Sequence, residues 1–256
     1  MFKQCFLKAA ALLMIVIPGL CLAQPSAEAD EQSLLSAFVS YTDLRMSGVR
    51  QSLEILASTA EARSGSWKKI GPLLGGYQKS DGGLVVWFVR PDGTYYTVDK
   101  GLMNVKLSNR SYFPALMSGQ EIMSALVVSK STGQRSAVIA VPMKRGGKVI
   151  GAIGASLFLD KLSDQVGSAL ALRPDAAFFS LAPDGHSTLH KQTDRRFVDP
   201  RKLGSETLRK AVNEMLSNAA GVTTYEFDSV TKRAIYRTSP LTQWKFAITF
   251  SAARQD

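Results

Sequence analysis

Asn109 to Leu159 decides the fold. The stretch opens on NRSYFPALMSGQ (109–120), runs through SALVVSKSTGQRSAVIAVPMKRGGK (124–148) and closes on VIGAIGASLFLDKL (149–162). An arginine and two aromatics stand at its head, and Asn109 can cap a short helix over Tyr112 to Met117. Ile122 to Ser129 and Ser136 to Met143 read as strands. Gly146 and Gly147 turn the chain into a further strand, Val149 to Phe158, which runs on into a helix from Asp160 to Leu170. Strand runs joined by tight turns predict an antiparallel sheet.

Upstream, LVVWFVR (84–90) is a buried-strand run, Pro91-Asp92-Gly93 a tight turn and TYYTV (94–98) the return strand of a hairpin. Asp99 to Leu107 reads as an irregular loop, and Lys68 to Gly76 as a short helical link. Asp30 to Ala62 predicts one long helix. Leu35, Val39, Met46, Val49, Leu53, Leu56 and Ala60 step by threes and fours, Thr42 fills the one gap, and Leu34 and Phe38 widen the stripe. Such a helix is roughly 50 Å long at 1.5 Å per residue. It either lies along two domains or pairs with another chain.

Downstream, a shorter cycle repeats the order. Ala176 to Ala182 is a strand, Pro183-Asp184-Gly185 a turn, and His186 to Lys191 the return. Leu208, Ala211, Val212 and Leu216 mark an amphipathic helix, and Thr223 to Phe227, Arg233 to Ser239 and Lys245 to Ser251 close the unit. This is a repeat of architecture rather than of close sequence. The fold class is α+β: a long N-terminal helix and two tandem antiparallel sheets.

Residues 1–23 read as a signal peptide. Lys3 and Lys8 precede the apolar run Ala9 to Leu22, and small residues lead to cleavage after Ala23. An uncleaved inner-membrane anchor is the alternative. Cleavage removes both cysteines, Cys5 and Cys21, and with them disulfide and thiolate chemistry. The leader takes two of the 31 basic residues and none of the 21 acidic ones, leaving a net charge of +8. The basic residues are scattered and the address is extracytoplasmic, so nucleic acid is not the expected partner.

No catalytic constellation stands out: there is no nucleophile elbow, phosphate loop or paired-histidine zinc motif, and no cofactor is implied. His186 and His190 are the only histidines. A metal there would need third and fourth ligands, and none lies close in sequence. Arg110 is the residue with chemistry to offer. A guanidinium fork matches a carboxylate, and the neighbouring Tyr112 and Phe113 can dry that contact. Trp87, Tyr95 and Tyr96 on the preceding hairpin can supply more wall. Two roles stay open for Arg110, ligand contact or a surface ion pair with Asp99 or Glu121. Phe113 also suits plain core packing.

These runs resemble the double-Cache sensor domains of bacterial chemoreceptors and sensor kinases. The resemblance rests on Phe88-Val89-Arg90-Pro91-Asp92-Gly93, Asn109-Arg110-Ser111-Tyr112-Phe113, Ser129-Lys130-Ser131-Thr132-Gly133, Ala140-Val141-Pro142 and Val149-Ile150-Gly151-Ala152-Ile153-Gly154. In the second cycle it rests on Ala177 to Gly185 and Gln243-Trp244-Lys245-Phe246. It implies two PAS-like sheets along a long helix (24–66), a membrane-distal module (67–170) holding the ligand and a membrane-proximal module (171–256). It also implies that Arg110, Tyr112 and Phe113 grip a ligand carboxylate and wall the pocket; with Trp87, Tyr96, Ser129 and Ser156 they make up the expected ligand site. Ser156 stands where the amino-acid-binding branch has an aspartate for the ligand amine. The expected ligand is therefore a small carboxylate without an amine, or another small polar anion.

The resemblance also leads one to expect a transmembrane helix after the second sheet, and none occurs before Asp256. The expectation is a periplasmic sensory module, not an enzyme, that relays to a membrane sensor partner and can dimerise through its N-terminal helix. The alternative is a helix-mediated periplasmic interaction protein with a vestigial pocket.

Overall fold

The apolar stripe of the N-terminal helix finds its partners within the same chain. The computed structural model describes residues 27–251, so the expected leader, 1–23, lies outside the described residues. Helix α1 (Ala27–Ser58) buries Leu35, Phe38, Val39, Met46, Val49 and Leu53, with Thr42 among them. The Thr42 hydroxyl donates to the Phe38 carbonyl at 3.0 Å, which lets a polar residue sit in the apolar seam. The stripe is therefore not a free pairing surface. The large exposed apolar residues of α1, among the described side chains, are Tyr41, Leu44 and Ile55. The long helix is also interrupted: Thr59 leaves the helical conformation and caps α2 (Ala60–Arg63), accepting from the Ala62 amide.

The expected link at Lys68 to Gly76 is a longer helix, α3 (Trp67–Ser80), which buries Ile70 and Leu74. The first sheet then forms from β1 (Leu84–Val89), β2 (Thr94–Thr97), β3 (Gly101–Lys106), β4 (Ile122–Val128), β5 (Arg135–Arg145) and β6 (Lys148–Phe158), with the five-residue helix α4 (Phe113–Met117) before β4. Its order is β3-β2-β1-β6-β5-β4, antiparallel throughout. Strand β3 replaces the loop expected over Asp99 to Leu107. Its Leu102 and Val105 are exposed, so it is an edge strand without the burial pattern that marks a strand in sequence.

Helix α5 (Leu159–Leu170) leads into the second sheet, built from β7 (Ala176–Leu181), β8 (Ser187–His190), β9 (Ala220–Phe227), β10 (Val230–Thr238) and β11 (Lys245–Ser251), with α6 (Glu206–Ser217) between β8 and β9. Its order is β8-β7-β11-β10-β9, again antiparallel. The chain is α+β, with one long helix and two antiparallel sheets.

Strand pleating divides each sheet into two faces. In β1, Leu84, Val86 and Phe88 face the core shared with α1, while Trp87 and Val89 join a separate cluster with Tyr95, Tyr112 and Leu116. In the second sheet Phe178, Phe246 and Ile248 face the α1 core, and Phe179, Leu181 and Ala247 pack with α6. Phe38 on α1 meets Phe178 and Phe246 edge-on, with ring centroids at 5.1 and 4.8 Å. Each sheet thus has an inner face against the spine and an outer face that holds a separate cluster. No helix among the described residues is long and apolar enough to cross a membrane.

Candidate functional site

The outer face of the first sheet is roofed by a chain of turns. The Leu107 amide donates to the Gly93 carbonyl at 2.9 Å, Arg110 to Leu107 at 2.9 Å and Phe113 to Arg110 at 3.0 Å. Gly93 has φ +84, and a Cβ there would lie 2.7 Å from that of Ser108, so the roof can lie this close to the hairpin only over a glycine. These turns carry Arg110 and Tyr112 over Trp87 and Ser156.

Between roof and sheet lies a chamber of about 20 Å3, room for one water-sized occupant. Trp87, Arg110, Tyr112, Ser129 and Ser156 line it, as do Tyr95, Lys130 and Ser131. Five of the seven residues expected at the site thus come together. Tyr96 stands on the opposite face, because alternation along β2 sends Tyr95 outward and Tyr96 inward. The Tyr96 ring stacks on Trp67 at 5.1 Å and on Phe88 at 6.0 Å. Phe113 packs in the cluster beneath the roof without lining the chamber. Tyr95, Lys130 and Ser131 add to the wall, as do Leu107, Val127 and Val138, and the parity of β2 is the signal for Tyr95.

The polar groups are arranged around Arg110. One terminal nitrogen, Nη2, donates to the Val128 carbonyl at 2.6 Å. Nε is buried without a partner, and so is the Tyr95 hydroxyl. Asp99 and Glu121, the other partners open to Arg110, are engaged elsewhere: Asp99 accepts from Gln78 Nε2 at 2.9 Å, and Glu121 lies 3.5 Å from Arg50 Nη1. Burial pushes the Tyr112 phenol up to about 12, against the opposing pull of Arg110. Tyr95 is raised for the same reason. Both phenols therefore remain protonated donors at neutral pH. Lys130 spans the mouth, donating to the Lys106 carbonyl at 2.5 Å and to Asn109 Oδ1. Burial and the charge of Arg110 lower its pKa.

The Trp87 indole N–H donates to Ser156 Oγ at 3.2 Å, so the residue expected near a ligand amine is held by the wall itself. Ser129 Oγ lies 3.1 Å from Ser131 Oγ and also accepts from the Thr132 amide at 3.3 Å, which ties down the turn after β4. No carboxylate lines the chamber among the described residues. Its chemistry is donor-rich and cationic. The two histidines do not form a pair: His186 is half-buried beside Asp184, whereas His190 ends β8 and stacks on Phe179 at 6.2 Å.

No family model matches the sequence. Toxin coregulated pilus biosynthesis protein I of Vibrio cholerae is 31% identical over 116 residues, covering 44% of this chain and 18% of that protein. The match spans less than a fifth of the length of that curated relative. Among solved structures, the ligand-binding domain of the Pseudomonas aeruginosa chemoreceptor PctB, in complex with L-Arg, is 18% identical with a TM-score of 0.71, over 88% of this chain and 96% of that one. That of the Pseudomonas fluorescens chemoreceptor CtaA, in complex with L-alanine, is 15% identical with a TM-score of 0.71, over 88% and 96%. The sensory domain of the Campylobacter jejuni chemoreceptor Tlp3 (CcmL), with isoleucine bound, is 14% identical with a TM-score of 0.65, over 87% and 91%. At these identities the likeness is one of fold.

Proposed function

We propose that this chain, which has the double-Cache fold of chemoreceptor sensory domains, is a periplasmic sensory module that binds a small carboxylate or other polar anion on Arg110 and relays its presence to a membrane partner. The observation that carries the reading is the pair of buried, unpartnered polar atoms, Arg110 Nε and the Tyr95 hydroxyl, in a chamber with no carboxylate in its wall. Leaving such groups unmet costs about 1–3 kcal/mol each, which favours an anionic acceptor; the space as it stands holds one water-sized group, so the roof must yield for a carboxylate to enter. Ser156 brings no negative charge, so the site favours an anion without an amine over an amino acid. Entry requires Lys130 to release Lys106 and Asn109, and Arg110 to exchange the Val128 carbonyl for the ligand.

The module works without catalysing a reaction, and its output passes through contacts of the spine. The test is a thermal-shift screen of small organic acids and amino acids on the wild-type chain and on Arg110→Ala. The expected result is stabilisation by an acid in the wild type and none in the variant, with the free variant still folded. An unchanged response in the variant removes Arg110 from the site.

A second reading, an interaction protein that pairs through its helix, is favoured by Leu44 and Ile55, which are 72% and 68% exposed on α1. Sedimentation of the wild type beside Leu44→Glu/Ile55→Glu tests it. A wild-type dimer that the double variant dissolves supports pairing, and a monomer in both excludes it.

A further inference from the structure

The two Pro-Asp-Gly turns allow the sheets to be compared residue by residue. Asp92 accepts from the Thr94 amide and Asp184 from the His186 amide, each at 3.0 Å, so the turns are built alike. Beyond them, Val89 pairs with Tyr95 in the first sheet and Leu181 with Ser187 in the second. Trp87 lies opposite Gly154, and Phe179 opposite Ala247. Two residues further along the central strands stand Ser156 and Thr249, opposite Val138 and Ala234. The outer faces therefore correspond as Trp87 to Phe179, Tyr95 to Ser187, Val138 to Ala234 and Ser156 to Thr249. At the first three positions the second sheet carries the smaller side chain.

Two of these smaller residues, Phe179 and Ser187, line a cavity. The outer face of the second sheet holds a chamber of about 360 Å3, against about 20 Å3 in the first. That volume lies in the range of small-molecule sites. Phe179, Leu181, Leu208, Val212 and Tyr225 give it an apolar interior. Ser187 is 3% exposed, and its hydroxyl is buried without a partner, at the position where Tyr95 also leaves its hydroxyl unmet. His190 Nδ1 accepts from the Gln192 amide at 2.8 Å, which puts the ring proton of the neutral imidazole on Nε2 as a further donor.

Charge at the rim is unbalanced. Asp228 is held by Arg195 at 3.1 Å and Asp175 by Arg173 at 3.3 Å. Arg195 in turn lies over the Phe227 ring at 4.1 Å. Among the described residues the Lys232 ammonium has neither a hydrogen bond nor an ion pair, and that of Lys191 has only the Ala176 carbonyl, at 2.8 Å. The cations left over outnumber the anions, while the interior is apolar.

We infer that the outer chamber of the second sheet is a binding site for a small organic acid with a branched aliphatic or aryl body. The body fills the space that Trp87 and Tyr95 occupy in the first sheet, beneath Ser187, and the carboxylate points along the strands toward Lys232, at the other end of the chamber from Ser187. Both rim carboxylates are already paired, so an ammonium group would have to compete there with Arg173 and Arg195. A neutral ligand would leave the lysine unanswered.

The experiment uses the full chain with phenylacetate and 4-methylpentanoate as probes, read by calorimetry and thermal shift. Ser187→Tyr copies the first sheet into the second and is expected to abolish both responses. Lys232→Glu, at a half-buried residue whose ammonium has no partner among the described residues, is expected to weaken phenylacetate while leaving its neutral analogue phenylacetamide unchanged. Arg110→Ala is expected to keep both responses, which separates this site from the first chamber whatever the fate of the Arg110 reading. Three results would each overturn the inference: no response of the wild type at millimolar probe, wild-type binding by both Ser187→Tyr and Lys232→Glu, or loss of binding in Arg110→Ala alone.

Discussion

The six-membered ring of Trp87 lies where a side chain at Gly154 would have to stand. The two residues are cross-strand partners, and a Cβ on Gly154 would come within 2.2 Å of the indole. The indole fills most of the first chamber because β6 offers it a glycine to lie on and the Ser156 hydroxyl to bond.

Gly154→Ala is therefore expected to displace the indole and break its bond to Ser156. Overpacking of this kind costs about 1–3 kcal/mol. Chemical denaturation should show that loss, with the fluorescence of Trp87 shifted by its new surroundings. An alanine variant of wild-type stability would mean that the ring moves freely.

His190 predicts a pH dependence. Burial, with the nearby cation Arg195, lowers its pKa from 6.5 to about 4. Between those values the unfolded chain binds a proton that the folded chain refuses. Stability attributable to this group is thus whole above about pH 6.5 and falls as the pH drops toward 4, by about 2 kcal/mol at pH 5. Unfolding followed at pH 7.5 and pH 5 should show the loss in the wild type and less of it in His190→Phe, which keeps the stack on Phe179.

Arg196 joins the second sheet to α5. It is 3% exposed, and its guanidinium donates to Asp160 at 3.1 Å, to Asp164 at 2.9 Å and to the His190 carbonyl at 3.0 Å. Arg196→Met removes these bonds but keeps the stem, and both carboxylates stay in reach of water. The expected loss is about 2 kcal/mol, shown by a lower denaturant midpoint.

Phe38→Ala should cost more, about 3–5 kcal/mol, because it empties a site between Phe178 and Phe246 that no neighbour can fill. Hydrogen exchange would place the damage. Protection is expected to fall first in β7 and β11, with β1 and β6 less affected.

Much of the architecture is legible in the residues themselves. The Pro-Asp-Gly turns, the apolar runs of β1, β5 and β6, and the stepping of Leu35 to Leu53 each follow from a strong local period. What stayed hidden lacked such a signal. Strand β3 is an exposed edge, and the break at Thr59 is a single residue in an otherwise helical pattern. Tyr95 and Tyr96 are chemically alike, and only the pleat separates them. The direction of Arg110 depends on turns whose bonds no spacing reveals. The larger chamber depends on differences in side-chain size between two sheets. Counting two residues on from Gly93 and from Gly185 would have exposed Tyr95 beside Ser187.

A single rod carries both sheets, with Phe38 wedged against the second and Met46, Val49 and Leu53 in the core it shares with the first. A shift of β5 and β6 across that rod is expected to lean on β10 and β11, and a shift of β10 and β11 on β5 and β6. Two occupants, one in each chamber, would therefore feel each other through a common beam even though they never meet.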